Sequence, residues 1–443
     1  MALTTEAVLA LAPDASSAKA ARGLTTPSQW PTLGANEAAL WGECQGSGAK
    51  PYQTQVDLNG PAFRCSCPSR KFPCKHGLAL LLMRAQDASL FGVSDAPAWV
   101  SEWLASRSEK AQKKEEKQAE KAATPVDPEA AAKREAQRWQ RITQAAAELQ
   151  RWLADQLSRG LGSLNHEVLK TWHTMAARMV DAQAPGLGQR VREAAEGIHA
   201  GEDWPERSLH RLGLLQLACE ALARREALSA DVQADLRTLV GWPHDKAEVQ
   251  ESGGKLNDQW TVLGLLTDDR DDKLTERRVW LQGATSGRRA WLLDHAFAGK
   301  GFEQAWTTGA VVQATMAFFP GAAGLRALAL DTQVLNAAPH WPTTPLADEW
   351  QQLAQRSARN PWVSLHPLAL GDAVVLHTGS ATLAVVNQQS LQLNLNEADA
   401  WRLLAATGGQ PVSLMGEWDG QQLRVLTAWA AQGTTPVWQR SAA

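Results

Sequence analysis

Cysteine is sparse in this chain, tyrosine occurs once, and nothing in it is long enough and apolar enough to suggest a membrane-spanning helix. The longest apolar runs, such as Leu78–Met83, fall far short of a bilayer span. The five cysteines are an odd number and three of them crowd together, whereas a disulfide-built secreted protein spreads and pairs them. That usage points to a metal site in a reducing compartment. The start, MALTTEAVLALAPDA, has an apolar VLALA but lacks the basic opening of a secretory signal, so it reads as a short helix or strand and the expected location is cytoplasmic. A net charge of −3 excludes a surface built throughout for nucleic acid and leaves room only for a local basic patch. What is present is ordinary globular composition, 44% hydrophobic and 21% charged, over 443 residues, enough for two to four folded units.

The chain divides by composition. Residues 1–105 form a first domain in which Tyr52-Gln-Thr-Gln-Val-Asp-Leu58 alternates like a half-buried strand. Asn59-Gly60 signals a hairpin turn, Ala62 to Cys67 reads as the return strand, and His76 to Arg84 has helix composition. The order over about 52–86 is strand, strand, helix. Residues 106–138 are Lys, Glu, Ala and Gln with almost no large apolar side chain, which predicts a charged flexible linker.

Residues 139–241 show helical periodicity. Trp139, Ile142, Ala146, Leu149, Leu153 and Leu157 mark a first helix, Val168–Val180 a second stopped by Pro185-Gly186, and Leu209–Leu228 a third. Ser229 is the expected cap of a fourth that closes at Gly241. Beyond Lys255 the period becomes two, with Trp260–Leu266, Arg278–Leu281, Ala290–Leu293 and Val311–Phe319 as strands. A helix is expected at Asp348–Arg356, then more strands at Val374–His377, Ala384–Val386, Leu391–Leu395 and Leu423–Thr427. The expected fold class is therefore α+β and multidomain: a small ββα-type zinc finger, a helical bundle and a β-rich C-terminal region over 255–443.

The chemistry concentrates in Cys65-Ser-Cys67-Pro-Ser-Arg-Lys-Phe-Pro-Cys74-Lys-His76. Structural zinc takes four thiolate or imidazole ligands in a tetrahedron. Residues two apart on a strand address one side, so Cys65 and Cys67 can share an ion, and the Pro-rich turn can return Cys74 and His76 to it. A disulfide between Cys65 and Cys67 would be strained. Burial of all three thiols as small hydrophobes fits poorly with Pro, Ser, Arg and Lys around them. Four protein ligands leave no open position for a water nucleophile, so the expected Zn2+ is structural.

The Cys-x-Cys, six residues, Cys-x-His pattern resembles the SWIM zinc finger, and CSCPSRKFPCKHGLALLL is similar to bacterial members through the Pro-Ser-Arg-Lys-Phe-Pro bridge. The likeness extends upstream through Trp41-Gly-Glu-Cys-Gln-Gly-Ser-Gly and Tyr52, and more weakly to Trp280–Gly283 and Ser286–Arg288. The resemblance implies zinc binding and recognition of DNA or of protein partners. It also implies company with MoxR-type ATPases and von Willebrand A domain proteins.

Other candidates have bland readings beside the sharp ones. Arg64, Arg70, Lys71 and Lys75, with Phe72 among them, would suit a phosphate backbone and one stacked base, or would simply form a solvated rim. Cys44 is a spare thiol beside a complete ligand set, and Cys219 lies in helix-core sequence. Asp268–Asp272 lacks the Gly and terminal Glu of a calcium loop and reads as a hairpin turn. Gly299-Lys300-Gly301 lacks the remaining parts of a phosphate loop, and Pro185-Gly-Leu-Gly188 is a lone GxG. His166 and His173 could share a helix face but have no third partner. Of 20 tryptophans, Trp139, Trp152, Trp172, Trp260, Trp280 and Trp291 fall on core faces, while others could anchor a partner. No catalytic constellation emerges from spacing. The expectation is a non-enzymatic adaptor that recognises protein, with DNA binding through the finger as the alternative and C-terminal hydrolytic or nucleotide chemistry a distant third.

Overall fold

The computed structural model describes residues 5–12, 15–46, 50–58, 62–69, 73–109, 127–269, 274–297, 302, 304–342, 344–430, 433 and 435–440. The N-terminal domain begins with helices α1 (Thr5–Ala10) and α2 (Ala15–Arg22). Strands β1 (Thr32–Ala35), β2 (Ala39–Cys44), β3 (Tyr52–Asp57) and β4 (Ala62–Cys65) follow, then α3 (Lys75–Gln86), β5 (Gly92–Val93) and α4 over residues 98–109. The sheet order is β4-β3-β2-β1-β5, so the expected strand, strand, helix unit is the edge of a larger sheet. Asn36 turns the chain between β1 and β2 by accepting from the amides of Ala38 and Ala39.

Helix α3 explains the run Leu78–Met83. All six of these residues are buried, because the helix packs on β2, β3 and β4 on one side and on α1 and α2 on the other. A helix that is apolar all round requires cover all round.

The segment 106–138, expected as a linker, has helix at both ends: α4 runs to residue 109, and α5 begins at Pro128 and runs to Arg159. Residues 110–126 lie outside the described residues. Asp127 explains the early start, since its Oδ1 accepts from the amides of Glu129 and Ala130 with Pro128 at the first helical position. Ala, Lys, Glu and Gln then sustain an exposed helix until Trp139 reaches the core.

The bundle continues with α6 (His166–Asp181), α7 (Pro185–Ala195), α8 (Trp204–Ala223) and α9 (Ala230–Leu239). Its core joins Ile142, Leu149, Trp172, Leu187, Leu215 and Leu236. Pro185 opens α7 as well as following α6, again by occupying the first helical position. The third expected helix is shifted toward the N-terminus, starting at Trp204. Ser229 stands at the cap of α9 with extended backbone but without a side-chain cap bond. The lone GxG is a packing device. A Cβ on Gly186 would overlap the carbonyl of Leu239, and one on Gly188 would lie 2.6 Å from the carbonyl of Ala176.

The C-terminal region opens with α10 (Lys246–Ser252). Strands β6 (Gly254–Asp269), β7 (Leu274–Gly283), β8 (Arg289–Phe297), β9 (Val311–Phe318) and β10 (Ala327–Leu335) form a sheet ordered β10-β9-β6-β7-β8. After α11 (Leu346–Arg359) come β11 (His366–His377), β12 (Thr382–Val386), β13 (Gln389–Leu393), α12 (Glu397–Thr407), β14 (Val412–Trp418), β15 (Gln422–Trp429) and β16 (Pro436–Gln439), with sheet order β13-β12-β11-β14-β15-β16. Each sheet wraps its own core, and a third cluster containing Leu263, Trp280, Ala369, Met415, Leu426 and Trp429 lies between them. Helix α12 went unread in the sequence, although Asn396 accepts from the amide of Asp399 at its start and Gly408 ends it in the left-handed region.

Candidate metal centre

Three elements build the site. Cys65 is the last residue of β4 and pairs across the hairpin with Thr54 of β3. Cys67 lies beyond the strand, where Ser66 prolongs the pairing by exchanging bonds with the backbone of Gln53. This corrects the strand expected to reach Cys67: it ends at Cys65, and the loop then turns the second thiol toward the first. Cys74 is the residue before α3, and His76 lies in its first turn. Gly77 permits this approach, since a Cβ there would sit 2.8 Å from the ring of Phe63 on β4.

The Cys65, Cys67 and Cys74 sulfurs and one His76 ring nitrogen all lie within 4.8 Å of one another. The Cys65 Sγ to His76 Nδ1 distance is 3.7 Å. Tetrahedral ligands held at zinc distances are separated by roughly 3.3–3.8 Å, so small adjustments would close the set on one ion. Cys74 and His76 are buried, and Cys65 and Cys67 are partly so. Among the described residues this is the one such cluster of three or more candidate ligands.

Family models match two segments, the SWIM zinc finger over residues 52–85 and the SWIM-associated four-helix bundle domain over residues 137–240. The chain therefore carries a SWIM zinc finger followed by the four-helix bundle domain associated with it. No curated protein and no solved structure matches it.

In this SWIM finger the environment suits a cation. Free of metal, the sulfurs share protons: hydrogen bonds from Cys65 and Cys74 pull the Cys67 thiol far down, while Cys65 and Cys67 push Cys74 far up. Burial works against protonation of His76, but the neighbouring Cys65 and Cys67 outweigh it and raise the imidazole to about 9. A divalent ion held by Cys65, Cys67, Cys74 and His76 would replace those protons and relieve the crowding of donors. The amides of Ser69 and Gly77 act on Cys67 and Cys74 in the direction that favours thiolate, and the latter lies at the start of a helix. Two neighbours unforeseen in the sequence support the ligands: Thr54 Oγ1 lies 3.2 Å from Cys65 Sγ, and the Tyr52 ring lies 5.0 Å from that of His76. The Thr54–Cys65 pairing follows from hairpin register, which the Asn-Gly signal alone does not specify.

The remaining candidates separate. Arg64 is exposed on the face of β4 opposite Cys65, while Lys75 is exposed at the start of α3 beside the cluster, so these two do not share a face. Arg70, Lys71 and Phe72 lie outside the described residues. Cys44 is fully buried in β2, and burial first, then the charge of Cys65, pushes its thiol up to about 11. Cys219 sits in the bundle core, pushed up to about 12 by burial. His166 and His173 are exposed on α6. The acidic run 268–272 starts in the last residues of β6, with residues 270–273 outside the described set, and Gly299, Lys300 and Gly301 also lie outside it. No described helix is long and apolar enough to cross a membrane.

Proposed function

We propose that this SWIM protein holds one structural Zn2+ through Cys65, Cys67, Cys74 and His76, and that it acts as a non-enzymatic adaptor recognising other proteins. The observation that carries the zinc reading is the convergence of four soft donors from a strand end, a loop and a helix start. Among the described residues no fifth donor joins the set, and four ligands leave no vacant coordination position to activate water, so the ion's task is to pin β4 and its loop to α3. The adaptor reading is supported by charge. In residues 1–105 Lys and Arg are matched one for one by Asp and Glu, and Arg64 and Lys75 point to different sides of the hairpin. A phosphate backbone needs several cations on one surface.

The test has two parts. Native mass spectrometry of the purified chain should find one zinc, lost when Cys74 is replaced by serine. Affinity purification from the native cell should recover the same partners with and without nuclease. Recovery that vanishes with nuclease, joined to salt-dependent retention on DNA, would overturn the adaptor reading in favour of nucleic acid. A metal-free protein with oxidised Cys65 and Cys67 would overturn the zinc reading.

A further inference from the structure

The two C-terminal sheets share one connectivity. In the first, β6 lies between β7 and β9, with β8 outside β7 and β10 outside β9. In the second, β11 lies between β12 and β14, with β13 outside β12 and β15 outside β14. Each closes by setting its third strand parallel to its fifth. Trp291 bridges to Arg326, donating its amide to Leu325 at 2.8 Å, and Gln392–Leu393 pair with Gln422–Leu423, Asn394 donating to Leu423 at 2.8 Å. Each first strand breaks register midway, between Val262 and Gly264 or between Leu370 and Ala373, which bends it to serve both halves of a barrel. Each link from third to fourth strand adds a buried side chain to the barrel core, Trp306 in one and Leu403 in the other. This is the five-stranded Greek-key barrel of the OB type, built twice in one chain.

Barrels of this type meet ligands on the outer face of their second and third strands. In the first barrel that region is already covered. Trp280 packs with Met415 and Leu426 of the second barrel, and the Arg278 guanidinium grips Glu417 through Nε at 2.9 Å and Nη2 at 3.1 Å. Among the described residues no core cluster covers the corresponding face of the second barrel. Its outward residues pair as Val374 with Val385 and Leu376 with Leu383, beside Ser390 and Gln392 on β13, and Leu376 is 45% exposed. From His366 to Leu393 the sequence has no Lys, Arg or Glu, and Asp372 is its one acid.

We propose that the chain self-associates through this face, the β11–β13 surface of one copy packing on the same surface of a second copy about a two-fold axis. The inference is independent of the zinc reading. Two observations choose the occupant. A surface without cations cannot hold a phosphate backbone, but set against itself it brings few like charges together and leaves Ser390 and Gln392 free to bond across the axis. The first barrel, moreover, shows what such a face takes in this molecule, namely the outside of another barrel of the same type. With the second barrel's own face open and no third barrel among the described residues, a second copy supplies it.

Sedimentation equilibrium of the full chain across the micromolar range tests this. A species of twice the 48.0 kDa chain mass is expected. Leu376→Lys combined with Val385→Lys should weaken association roughly tenfold or more, through like-charge apposition. Leu209→Lys, at an exposed leucine of the bundle, should leave it unchanged. Should the double variant misfold, Gln392→Arg at an exposed polar position poses the same question. Hydrogen exchange should show concentration-dependent protection in β12 and β13. A chain that stays monomeric, or a dimer indifferent to these substitutions, overturns the proposal. Protection of β12 and β13 by an added oligonucleotide in a monomeric chain overturns it in favour of a nucleic-acid face.

Discussion

The metal cluster and the junction between the barrels are both small polar groups that tie separate pieces of backbone together, and they rest on different physics. At the cluster, donors 11 positions apart converge at the edge of a sheet. At the junction, Arg278 and Glu417 are 139 positions apart, Glu417 is fully buried, and Trp280 adds a third bond to the same carboxylate at 2.9 Å. Apolar packing surrounds that triad on both sides. On the zinc reading the cluster depends on something added to the chain, while the junction is held by the chain itself. The cluster should fail locally and the junction globally.

Removing metal is the strongest challenge to that contrast. Structural zinc supplies about 10–16 kcal/mol of apparent free energy in isolated finger peptides. Here α3 is also held by a core that includes Val56, Phe63, Leu78 and Leu82. Chelation, or Cys74→Ser, should therefore abolish hydrogen-exchange protection around Cys65–His76 and spare Leu78–Met83 and both barrels. Loss along all of α3 would mean that the apolar core does not stand without the ion. The effect has a pH sign. Ligation requires thiolates and neutral imidazole, and metal-free His76 holds its proton up to about pH 9. Zinc affinity should accordingly fall as pH falls, seen as zinc release to a colorimetric chelator on acidification.

Next in size is the junction. Glu417→Ala leaves Arg278 and the Trp280 indole without their shared acceptor, and breaking a buried pair in this way costs about 3–5 kcal/mol. Thermal unfolding should show a lower midpoint for the C-terminal region while zinc content is unchanged. Replacing both partners by apolar residues, Arg278→Met with Glu417→Leu, should restore only part of the loss, because the Trp280 indole still lacks its acceptor and Asp268 and Glu276 lose the Arg278 cation. If Glu417→Ala is neutral, the contrast between an added and an intrinsic tie fails.

A smaller effect is expected within the bundle, where Gly186→Ala drives a methyl group into the Leu239 carbonyl and should cost about 1–3 kcal/mol by denaturant unfolding. The smallest is a pH dependence at the joint of bundle and first barrel. Asp235 of α9 accepts from the amide of Ala322, and burial raises its carboxyl to about 6. A carboxyl that binds its proton more tightly folded than unfolded stabilises the fold below its ordinary value, and that contribution is lost as pH rises toward 6. Asp235→Asn should flatten this part of the stability profile between about pH 4 and 6.

Much of the local structure was legible. Cys65, Cys67, Cys74 and His76 announced a candidate metal site because a short chain with that spacing readily brings its donors together. Helical periodicity located most of the bundle, and the period of two located most strands. Helices α7 and α12 were missed because the first begins on a proline read as a stop, and the second is a short insertion among strands, signalled only by Asn396 and Gly408. The start of α5 at Pro128, inside the segment expected as linker, was not read because Lys, Glu, Ala and Gln suit a capped solvent-exposed helix as readily as a linker.

Sequence alone thus determined the ligand set, the alternation of helical and extended segments and the scarcity of charge along β11–β13, since each depends on neighbours a few residues apart. Tertiary structure decided that Thr54 stands behind Cys65, that α3 is covered on every side and that Glu417 reaches Arg278. It also decided that third and fifth strands close two like barrels. Periodicity states which face of a strand is apolar, but not which distant strand will cover it. That choice is made only when the whole chain finds the arrangement that buries its apolar surface and satisfies its buried polar groups together.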